Sequence, residues 1–255
     1  MDDALKPATR KLFGIIGYPL KHSFSPKYFQ QKFLREGIDA RYEAFPLSSI
    51  AEFPKLLKQH PDLCGLNVTA PYKESVLPFL DEIDADAKAI GAVNCIHIAE
   101  GKLIGYNTDW LGFSESLKPL LQTRHCAALV LGNGGASKAV RFALRQMNIA
   151  FKTVSATPGK ADFLYSELDA AMLKAFPIII NTTILGTQGV GIPDLPYDGL
   201  TSGNLLYELV YNPPLTGFLA EGKARGAKVK NGEEMLVLQA EAGWELWNQN
   251  SPLRH

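Results

Sequence analysis

A lysine in a position suited to proton transfer follows an apolar run in the first third of the chain. The run Leu66-Asn67-Val68 leads into Thr69-Ala70-Pro71-Tyr72-Lys73, where a strand should end and a helix begin. The partial positive charge at a helix N-terminus disfavours an ammonium, by roughly 0.3–1 kcal/mol at an exposed site, and so favours a neutral lysine. Most lysines are merely solvated surface residues, but this placement makes Lys73 a candidate general acid or base.

A second chemical signature is a glycine-rich loop in the middle of the chain. The segment Gly132-Asn133-Gly134-Gly135-Ala136-Ser137-Lys138 lies between the apolar run Ala127–Leu131 and the helical pattern Ala139–Met147. Glycines let a pyrophosphate approach the backbone N–H groups, and the helix dipole favours its charge. Ser137 stands at the third fingerprint position, usually Gly or Ala, and adds a hydroxyl. The loop predicts a dinucleotide site.

The residues that follow the next predicted strand indicate which dinucleotide is bound. NAD sites usually place an Asp or Glu about 20 residues past the first glycine, where it holds the ribose 2′-hydroxyl. Here the strand runs into Ser155-Ala156-Thr157-Pro158-Gly159-Lys160, without a carboxylate. The two hydroxyls of Ser155 and Thr157 and the charge of Lys160 suit a 2′-phosphate, so the sequence favours NADP.

Three polar clusters follow predicted strands of the first half of the chain: Lys21–Pro26, Ala92–Asn94 and Gly105–Asp109. Ligands of open α/β sheets bind beyond the carboxyl ends of the strands, so we expect these clusters to converge. Ser23 and Ser25 at a helix start would form a carboxylate site that needs no arginine. Taken singly, Asp109 fits a helix cap equally well, and each serine fits a cap better than a ligand site; Ser25, directly before Pro26, is the predicted N-cap of the helix.

Short apolar runs alternate with helical patterns along the whole chain, which predicts an α/β fold with mainly parallel sheets. The second α/β unit should begin at the buried-type strand Ala127–Leu131. We expect the last helix, from Glu233 to about Asn248, to pack back on the first domain. The other predicted elements are strands at 13–17, 42–45, 63–68, 92–98, 102–106, 151–155, 178–181, 205–210 and 227–230, and helices at about 25–34, 50–58 and 109–121.

Composition narrows the classes of partner. Lys+Arg and Asp+Glu are both 26 in 255 residues, so no net charge draws the chain to nucleic acid or to an anionic membrane. No apolar run approaches the roughly 20 residues of a membrane span, and the start Met1–Ala4 lacks the features of a signal peptide. We therefore expect a cytoplasmic protein with a small-molecule partner, and no nucleic acid or membrane.

Cysteines and histidines give no sign of a metal site. Cys64, Cys95 and Cys126 are widely spaced among apolar neighbours, which predicts buried thiols in a reducing compartment. The five histidines form no ligand pair with one another or with a cysteine. We expect no metal.

The order of these motifs resembles the shikimate dehydrogenase family over about residues 13–247. The matching segments are His22-Ser23-Phe24-Ser25-Pro26, Asn67-Val68-Thr69-Ala70-Pro71-Tyr72-Lys73, Gly91-Ala92-Val93-Asn94, Gly105-Tyr106-Asn107-Thr108-Asp109-Trp110-Leu111-Gly112-Phe113, Gly132-Asn133-Gly134-Gly135-Ala136-Ser137-Lys138, Asn181-Thr182-Thr183-Ile184-Leu185-Gly186, Tyr211-Asn212-Pro213 and Met235-Leu236-Val237-Leu238-Gln239-Ala240.

The resemblance implies NADP-dependent reduction of 3-dehydroshikimate to shikimate, on the route to aromatic amino acids. It also implies a substrate domain of residues 1–107 with 233–255, a Rossmann-like cofactor domain of residues 108–232, and a monomer or homodimer. By motif matching, Lys73 is the catalytic lysine and Asp109 its partner. The substrate-binding residues implied are Ser23, Ser25, Asn67, Thr69, Asn94, Tyr211 and Gln239.

The same matching assigns the cofactor contacts. They are Gly132, Asn133, Gly134, Gly135, Ala136, Ser137, Ser155, Thr157, Lys160, Thr182, Leu209 and Gly232. Family members commonly carry Asn-Arg-Thr-x-x-Arg where this chain has Ser155–Lys160, so the arginine that stacks on the adenine is missing.

Three other functions compete with this interpretation. A quinate/shikimate dehydrogenase that uses NAD would share the fold, and a nucleotide-sensing module would bind cofactor without turnover. A methyltransferase would use the glycine loop for S-adenosylmethionine, but would want an acidic residue near Ser155.

Overall fold

The computed structural model describes residues 10–21 and 23–248, which form two compact units. One unit contains the described residues up to Thr108 and those from Ala240 onward, and the other is Asp109–Gln239. The chain returns from the second unit to the first between Gln239 and Ala240, inside the helix Glu233–Trp247 (α9). We predicted this boundary after residue 232. The reason is packing, because Met235 lies in the core of the second unit and Trp247 in that of the first.

The first unit is built on a mainly parallel sheet, as predicted. Its strands among the described residues are β1 (Lys11–Gly17), β2 (Ala40–Pro46), β3 (Leu63–Val68), β4 (Glu82–Ile83), β5 (Cys95–Ala99) and β6 (Lys102–Tyr106), in the order β2-β1-β3-β5-β6-β4. Only β5 runs antiparallel to its neighbours in this part of the structure, β3 and β6. The predicted β5–β6 hairpin turns through Glu100 and Gly101, both at positive φ, as a two-residue type I′ turn requires.

Helices cover both faces of this sheet. They are α1 (Phe24–Glu36), α2 (Phe53–Gln59), α3 (Tyr72–Ser75), α4 (Ala85–Ile90) and the second half of α9. Residues of β1 alternate between two buried clusters, with Leu12 and Ile16 in one and Phe13 and Ile15 in the other. This alternation explains why β1 has no polar side chain after the exposed Lys11.

The end of α9 docks on the sheet of the first unit through Trp247, as predicted for the last helix. Its indole Nε1 donates to the Ile96 carbonyl at 2.9 Å. A Cβ atom at Gly65 would lie 2.4 Å from the same ring, so the glycine leaves the space that the indole occupies. Trp247 therefore ties the C-terminal helix to β3 and β5.

The described strands of the second unit form an all-parallel sheet of the Rossmann-like kind. They are β7 (Ala127–Leu131), β8 (Ala150–Ser155), β9 (Phe163–Leu164), β10 (Ile178–Asn181), β11 (Leu205–Glu208) and β12 (Lys228–Lys230), in the order β12-β11-β10-β7-β8-β9. The helices are α5 (Asp109–Leu117), α6 (Gly135–Gln146), α7 (Ala170–Ala175), α8 (Gly217–Ala224) and the first half of α9. From β7 the chain proceeds to β8 on one side and later to β10 on the other. The topological switch point, where such folds bind ligands, therefore lies between β7 and β10.

Some element boundaries differ from the predicted ones. α5 ends at Leu117 instead of 121, because a 3-10 turn that contains Pro119 follows it and proline removes a helix donor. The predicted helix 50–58 begins with a 3-10 turn, Ile50–Glu52, before α2. Of the cysteines, Cys95 is buried and Cys64 half-buried, but Cys126 is exposed, so its predicted burial is wrong.

Candidate active site

In the first unit, polar side chains are buried around the end of β3. Asn67, on β3, is 3% exposed and its Oδ1 accepts a hydrogen bond from the Tyr42 hydroxyl at 2.6 Å. Burial raises the pKa of Tyr42 well above its usual value, so the hydroxyl stays protonated and donates. The Tyr42 ring stacks on Phe29 of α1 at 4.7 Å between centroids. Asn67 is therefore held in a fixed orientation, beside the strand end where the resemblance places substrate.

Asn94 joins three segments of the same unit. Its carbonyl accepts from the Val68 N–H at 2.8 Å, and its own N–H donates to the Tyr106 carbonyl at 3.0 Å. Its side chain pairs twice with Thr108, accepting from the backbone N–H at 2.6 Å and donating to Oγ1 at 3.0 Å. Asn94 thus fixes the backbone immediately before Asp109. The sequence motifs contained Thr108, but only the structure assigns it this supporting role.

The backbone at Lys73 and at Thr69, four residues before it, is anchored in the first unit. The Thr69 N–H donates to the Ile16 carbonyl at 2.9 Å, and the Lys73 carbonyl accepts from the Val93 N–H at 2.8 Å. The Lys73 side chain is half-buried. However, α3 has only four residues, so the helix-dipole argument made for Lys73 is wrong, since one turn aligns too few peptide groups. The proposal that Lys73 is a general acid or base therefore depends on the motif Asn67–Lys73 and on the anchored backbone.

The two candidate serines at the start of α1 differ from the predicted arrangement. Ser23, not Ser25, is the N-cap, and its side chain makes no capping hydrogen bond. Ser25 is the second residue of the helix and is 6% exposed. The predicted cap was wrong because Phe24 and Ser25 both have helical conformation ahead of Pro26. His22, in the same motif, lies outside the described residues.

In the second unit, Asp109 and Gln239 lie on two closely packed helices. Asp109 is the first residue of α5 and is 6% exposed; Gln239 lies on α9 and is 5% exposed. A Cβ atom at Gly112 would lie 2.5 Å from the Met235 carbonyl oxygen and 2.9 Å from the Gln239 nitrogen. Glycine at 112 therefore allows α5 and α9 to meet backbone to backbone. Tyr211, which follows β11, is half-buried, and burial raises the pKa of its hydroxyl.

The glycine loop begins at the end of β7, at the switch point. Gly132 has φ +102°, a conformation that favours glycine, and Gly134 is the N-cap of the twelve-residue helix α6. A Cβ atom at Gly134 would meet no protein atom within 4 Å. Ser137 is fully buried and its hydroxyl donates to the Gly132 carbonyl at 2.9 Å. The Ser137 hydroxyl is therefore used inside the loop instead of facing a ligand. A phosphate could instead bind to the backbone N–H groups at the start of α6, beside the open space at Gly134.

The turn after β8 carries the candidate 2′-phosphate residues and is joined to the glycine loop. Ser155 Oγ accepts from the Thr157 N–H at 3.0 Å, and Asn133 Nδ2 donates to the Lys160 carbonyl. Thr157 and Lys160 are exposed. Asp162 is the one acid close in sequence, but its carboxylate accepts from the Thr153 N–H and hydroxyl at 2.8 and 2.7 Å.

Those bonds from Thr153, with a further one from Lys152, lower the pKa of Asp162 to about 2. The carboxylate is therefore ionised near neutral pH and holds the turn to β8. Asp162 was not predicted as part of this turn, because it lies two positions beyond the segment Ser155–Lys160.

The remaining candidate cofactor residues also lie at the ends of parallel strands. Thr182 follows β10, and its N–H and Oγ1 both donate to the Leu131 carbonyl, at 2.9 and 2.6 Å. Gly232 precedes α9, and a Cβ atom there would lie 2.1 Å from the Leu209 carbonyl oxygen. Glycine is therefore required at 232 for the chain to pass Leu209.

A buried acid near these residues was not predicted. Glu208, at the end of β11, is fully buried, and this raises its pKa to about 7 although Asn181, Val210 and Thr216 all donate hydrogen bonds to it. The signal was present in the sequence. A lone acid within the apolar run Leu205–Val210 must find partners, because an unpaired buried charge is costly.

The described ranges contain neither a cluster of metal ligands nor a membrane-spanning helix. No group of three or more His, Cys, Asp or Glu residues there could hold a metal ion. No helix in that part of the chain is long and apolar enough to cross a membrane.

Comparison with known proteins identifies similar chains. A family model described as the shikimate dehydrogenase substrate binding domain matches residues 15–96. The NADP-dependent shikimate dehydrogenase of Geobacillus kaustophilus is 37% identical, with 95% of this chain and 94% of that protein covered.

Solved structures agree with this. Shikimate dehydrogenase from Aquifex aeolicus superposes with a TM-score of 0.84 at 32% identity, covering 98% of this chain and 96% of that one. Shikimate 5-dehydrogenase from Thermus thermophilus, in complex with NADP(H) and shikimate, gives a TM-score of 0.84 at 33% identity, with 93% of each chain covered. These matches confirm the resemblance that the sequence motifs predicted.

Proposed function

Because the chain belongs to the shikimate dehydrogenase family, we propose that it catalyses the reversible, NADP-dependent reduction of 3-dehydroshikimate to shikimate. The observation that carries the proposal is similarity over 95% of the chain to an NADP-dependent shikimate dehydrogenase. A glycine loop at the switch point of a parallel sheet supports it. Such a reaction belongs to aromatic amino acid biosynthesis.

The residues of the glycine loop fit a dinucleotide. The N-terminus of α6 offers N–H groups and a favourable dipole to a pyrophosphate, and the space beside Gly134 is open. Ser155, Thr157 and Lys160 would hold the 2′-phosphate, and Thr182, Leu209 and Gly232 the other end of the cofactor. When bound, NADPH supplies the hydride.

Lys73 is the proposed general acid. Reduction of the C3 carbonyl builds negative charge on its oxygen, and an ammonium at that point both stabilises and protonates the oxygen. In the reverse direction the neutral lysine accepts the alcohol proton. Asp109 is the proposed partner that orients this exchange. The anchored backbone around Lys73 supports the assignment, since a fixed donor loses less entropy when the reaction occurs.

The proposed substrate contacts are polar groups of limited exposure. Ser23, Ser25 and Tyr211 would hold the carboxylate, and Thr69, Asn94 and Gln239 the ring hydroxyls, with Asn67 lining the site. Asn67 and Asn94 support this role because neighbouring groups fix their amides in advance. Side chains that are already fixed lose less conformational entropy when they bind a ring than mobile side chains do.

The direct test is conversion of shikimate by the purified protein. With NADP+ and shikimate we expect stoichiometric formation of NADPH and 3-dehydroshikimate, identified by NMR. A nucleotide-sensing module would instead bind NADP+ without forming either product. Binding without turnover at any substrate concentration would contradict the proposal.

Ser23→Ala should raise the KM for shikimate by about 2–10-fold and leave kcat nearly unchanged, since it removes one hydrogen bond to the carboxylate. The Ser23 side chain makes no capping bond, so stability should hardly change. Ser49→Ala is the control, because it removes a serine hydroxyl elsewhere in the same unit. An unaltered KM in Ser23→Ala would remove the residue from the carboxylate site.

Lys160→Ala should raise the KM for NADP by about 5–10-fold and that for NAD by no more than about 2-fold, because only NADP carries the 2′-phosphate. The side chain is exposed, so added salt should shrink the difference. Lys174→Ala, at an exposed position of α7, serves as the control. Equal effects on both cofactors would show that Lys160 does not hold the phosphate.

The protein is further proposed to work in the cytoplasm as a monomer or homodimer. Its three free cysteines, one of them exposed, support a reducing compartment. Light scattering should give the mass of one or two chains.

A further inference from the structure

We propose that Glu208 is a positioning residue for the cofactor site, because its carboxylate fixes the Asn181 amide and thereby the Thr182–Thr183 turn beside the glycine loop. The inference rests on the proposed function, which makes this turn part of the NADP site. Glu208 itself is fully buried, so it acts through its neighbours and not by touching a ligand.

Each hydrogen-bond partner of the Glu208 carboxylate is a donor. Asn181 Nδ2 lies 3.0 Å from both carboxylate oxygens, Thr216 Oγ1 lies 3.1 Å from Oε2, and the Val210 N–H lies 3.1 Å from Oε1. An ionised carboxylate only accepts, so it satisfies all of these donors at once. A neutral amide in the same place would present its own N–H₂ group to them.

The oxygen of the Asn181 amide accepts hydrogen bonds from the Thr182–Thr183 turn. Asn181 Oδ1 accepts from the Thr183 N–H at 3.0 Å and from Thr183 Oγ1 at 2.7 Å, while Nδ2 also donates to the Leu185 carbonyl at 3.0 Å. The amide has therefore one satisfactory orientation, with nitrogen toward Glu208 and oxygen toward Thr183. In the reversed orientation the Asn181 N–H₂ group would face the Thr183 N–H and hydroxyl, which are donors as well.

The Thr182–Thr183 turn lies directly against the glycine loop. A Cβ atom at Gly132 would lie 2.9 Å from both Thr182 Oγ1 and Thr183 Cγ2, and Thr182 is bonded to Leu131 at the end of β7. Gly132 and the turn are thus in direct contact at the switch point. A change in the orientation of Asn181 would reach the cofactor loop through Thr183.

The test is Glu208→Gln, which keeps the size of the side chain and removes its charge. Assays are run well above neutral pH, where the carboxylate is ionised, since burial raises the pKa of Glu208 to about 7. We expect the Kd for NADP, measured by isothermal titration calorimetry, to rise at least ~10-fold. The KM for NADP should rise with it, while the KM for shikimate changes no more than ~3-fold.

Tyr207→Phe is the matched control for a purely structural loss. Tyr207 precedes Glu208 on β11, is equally buried, and loses its 2.6 Å contact with Ser116 Oγ in this variant. It should lower the melting temperature without changing the Kd for NADP. Glu208→Asp, which restores a carboxylate, should recover part of the lost affinity.

If Glu208→Gln does not fold, Asn181→Ala tests the same link, because Glu208 keeps its bonds from Thr216 and Val210. We expect the same rise in Kd. A folded Glu208→Gln or Asn181→Ala protein with a Kd for NADP within ~2-fold of the unsubstituted protein would overturn the inference, as would an equal rise in Tyr207→Phe. Because calorimetry needs no turnover, failure of the proposed reaction would be recognised separately, as NADP binding without shikimate oxidation.

Discussion

Lys73→Ala should lower kcat for shikimate oxidation at least ~10²-fold and leave the KM for shikimate nearly unchanged. Proton transfer by a positioned group contributes this much to a rate, and the lost interaction belongs mainly to the transition state. The protein should remain folded, because the contact that anchors residue 73 to Val93 uses the Lys73 carbonyl, which alanine retains. Steady-state kinetics with circular dichroism measure both expectations.

Two further variants separate proton transfer from charge. Lys73→Arg keeps a positive charge, but a guanidinium does not give up its proton in proteins, so its kcat should stay low. Lys58→Ala, at an exposed position of α2, should have no effect. Full activity in Lys73→Arg would reduce the role of Lys73 to charge stabilisation, and full activity in Lys73→Ala would remove it from the mechanism.

Gly134→Ala should raise the KM for NADP at least ~10-fold while the protein without cofactor keeps its stability. The added Cβ atom would meet no protein atom within 4 Å, and φ of −80° suits alanine, so the melting temperature should shift by less than about 4 °C. The open space there is the approach that a pyrophosphate needs to reach the backbone, and a methyl group would occupy it.

Gly132→Ala is the contrasting variant in the same loop. Here φ is +102° and the Cβ atom would lie 2.9 Å from the Thr182 hydroxyl, so the substitution should destabilise the unliganded protein by about 1–3 kcal/mol. Denaturant unfolding of both variants measures the difference in the free energy of unfolding.

An unchanged KM for NADP in Gly134→Ala would mean that the pyrophosphate does not lie beside residue 134.

Elements with strong local patterns were predictable from the sequence. β3, β7 and β10 have the predicted bounds, because each is mostly apolar and is followed by a polar residue or a glycine. The glycine loop was predictable for the same reason, since a buried strand, closely spaced glycines and a helix follow one another directly. Both α/β units and the return of α9 to the first unit follow from these local patterns.

Features that depend on distant residues were not predictable. The double pairing of Asn94 with Thr108 requires β5 to pair with β6, and the burial of Glu208 requires β10 beside β11. The proposed effect of a helix dipole on Lys73 was wrong because the pattern after Pro71 indicates a helix start but not that the helix ends at Ser75. Propensity placed the cap at Ser25, whereas the chain enters the helix two residues earlier.

The proposed NADP-dependent oxidation of shikimate is tested by kcat/KM for shikimate and quinate, each measured with NADP+ and with NAD+. An NADP-dependent shikimate dehydrogenase should give its highest value with shikimate and NADP+. The absence of an arginine in Ser155–Lys160 should narrow the preference for NADP+ without reversing it. A higher kcat/KM for quinate with NAD+ would contradict the account and favour a quinate/shikimate dehydrogenase.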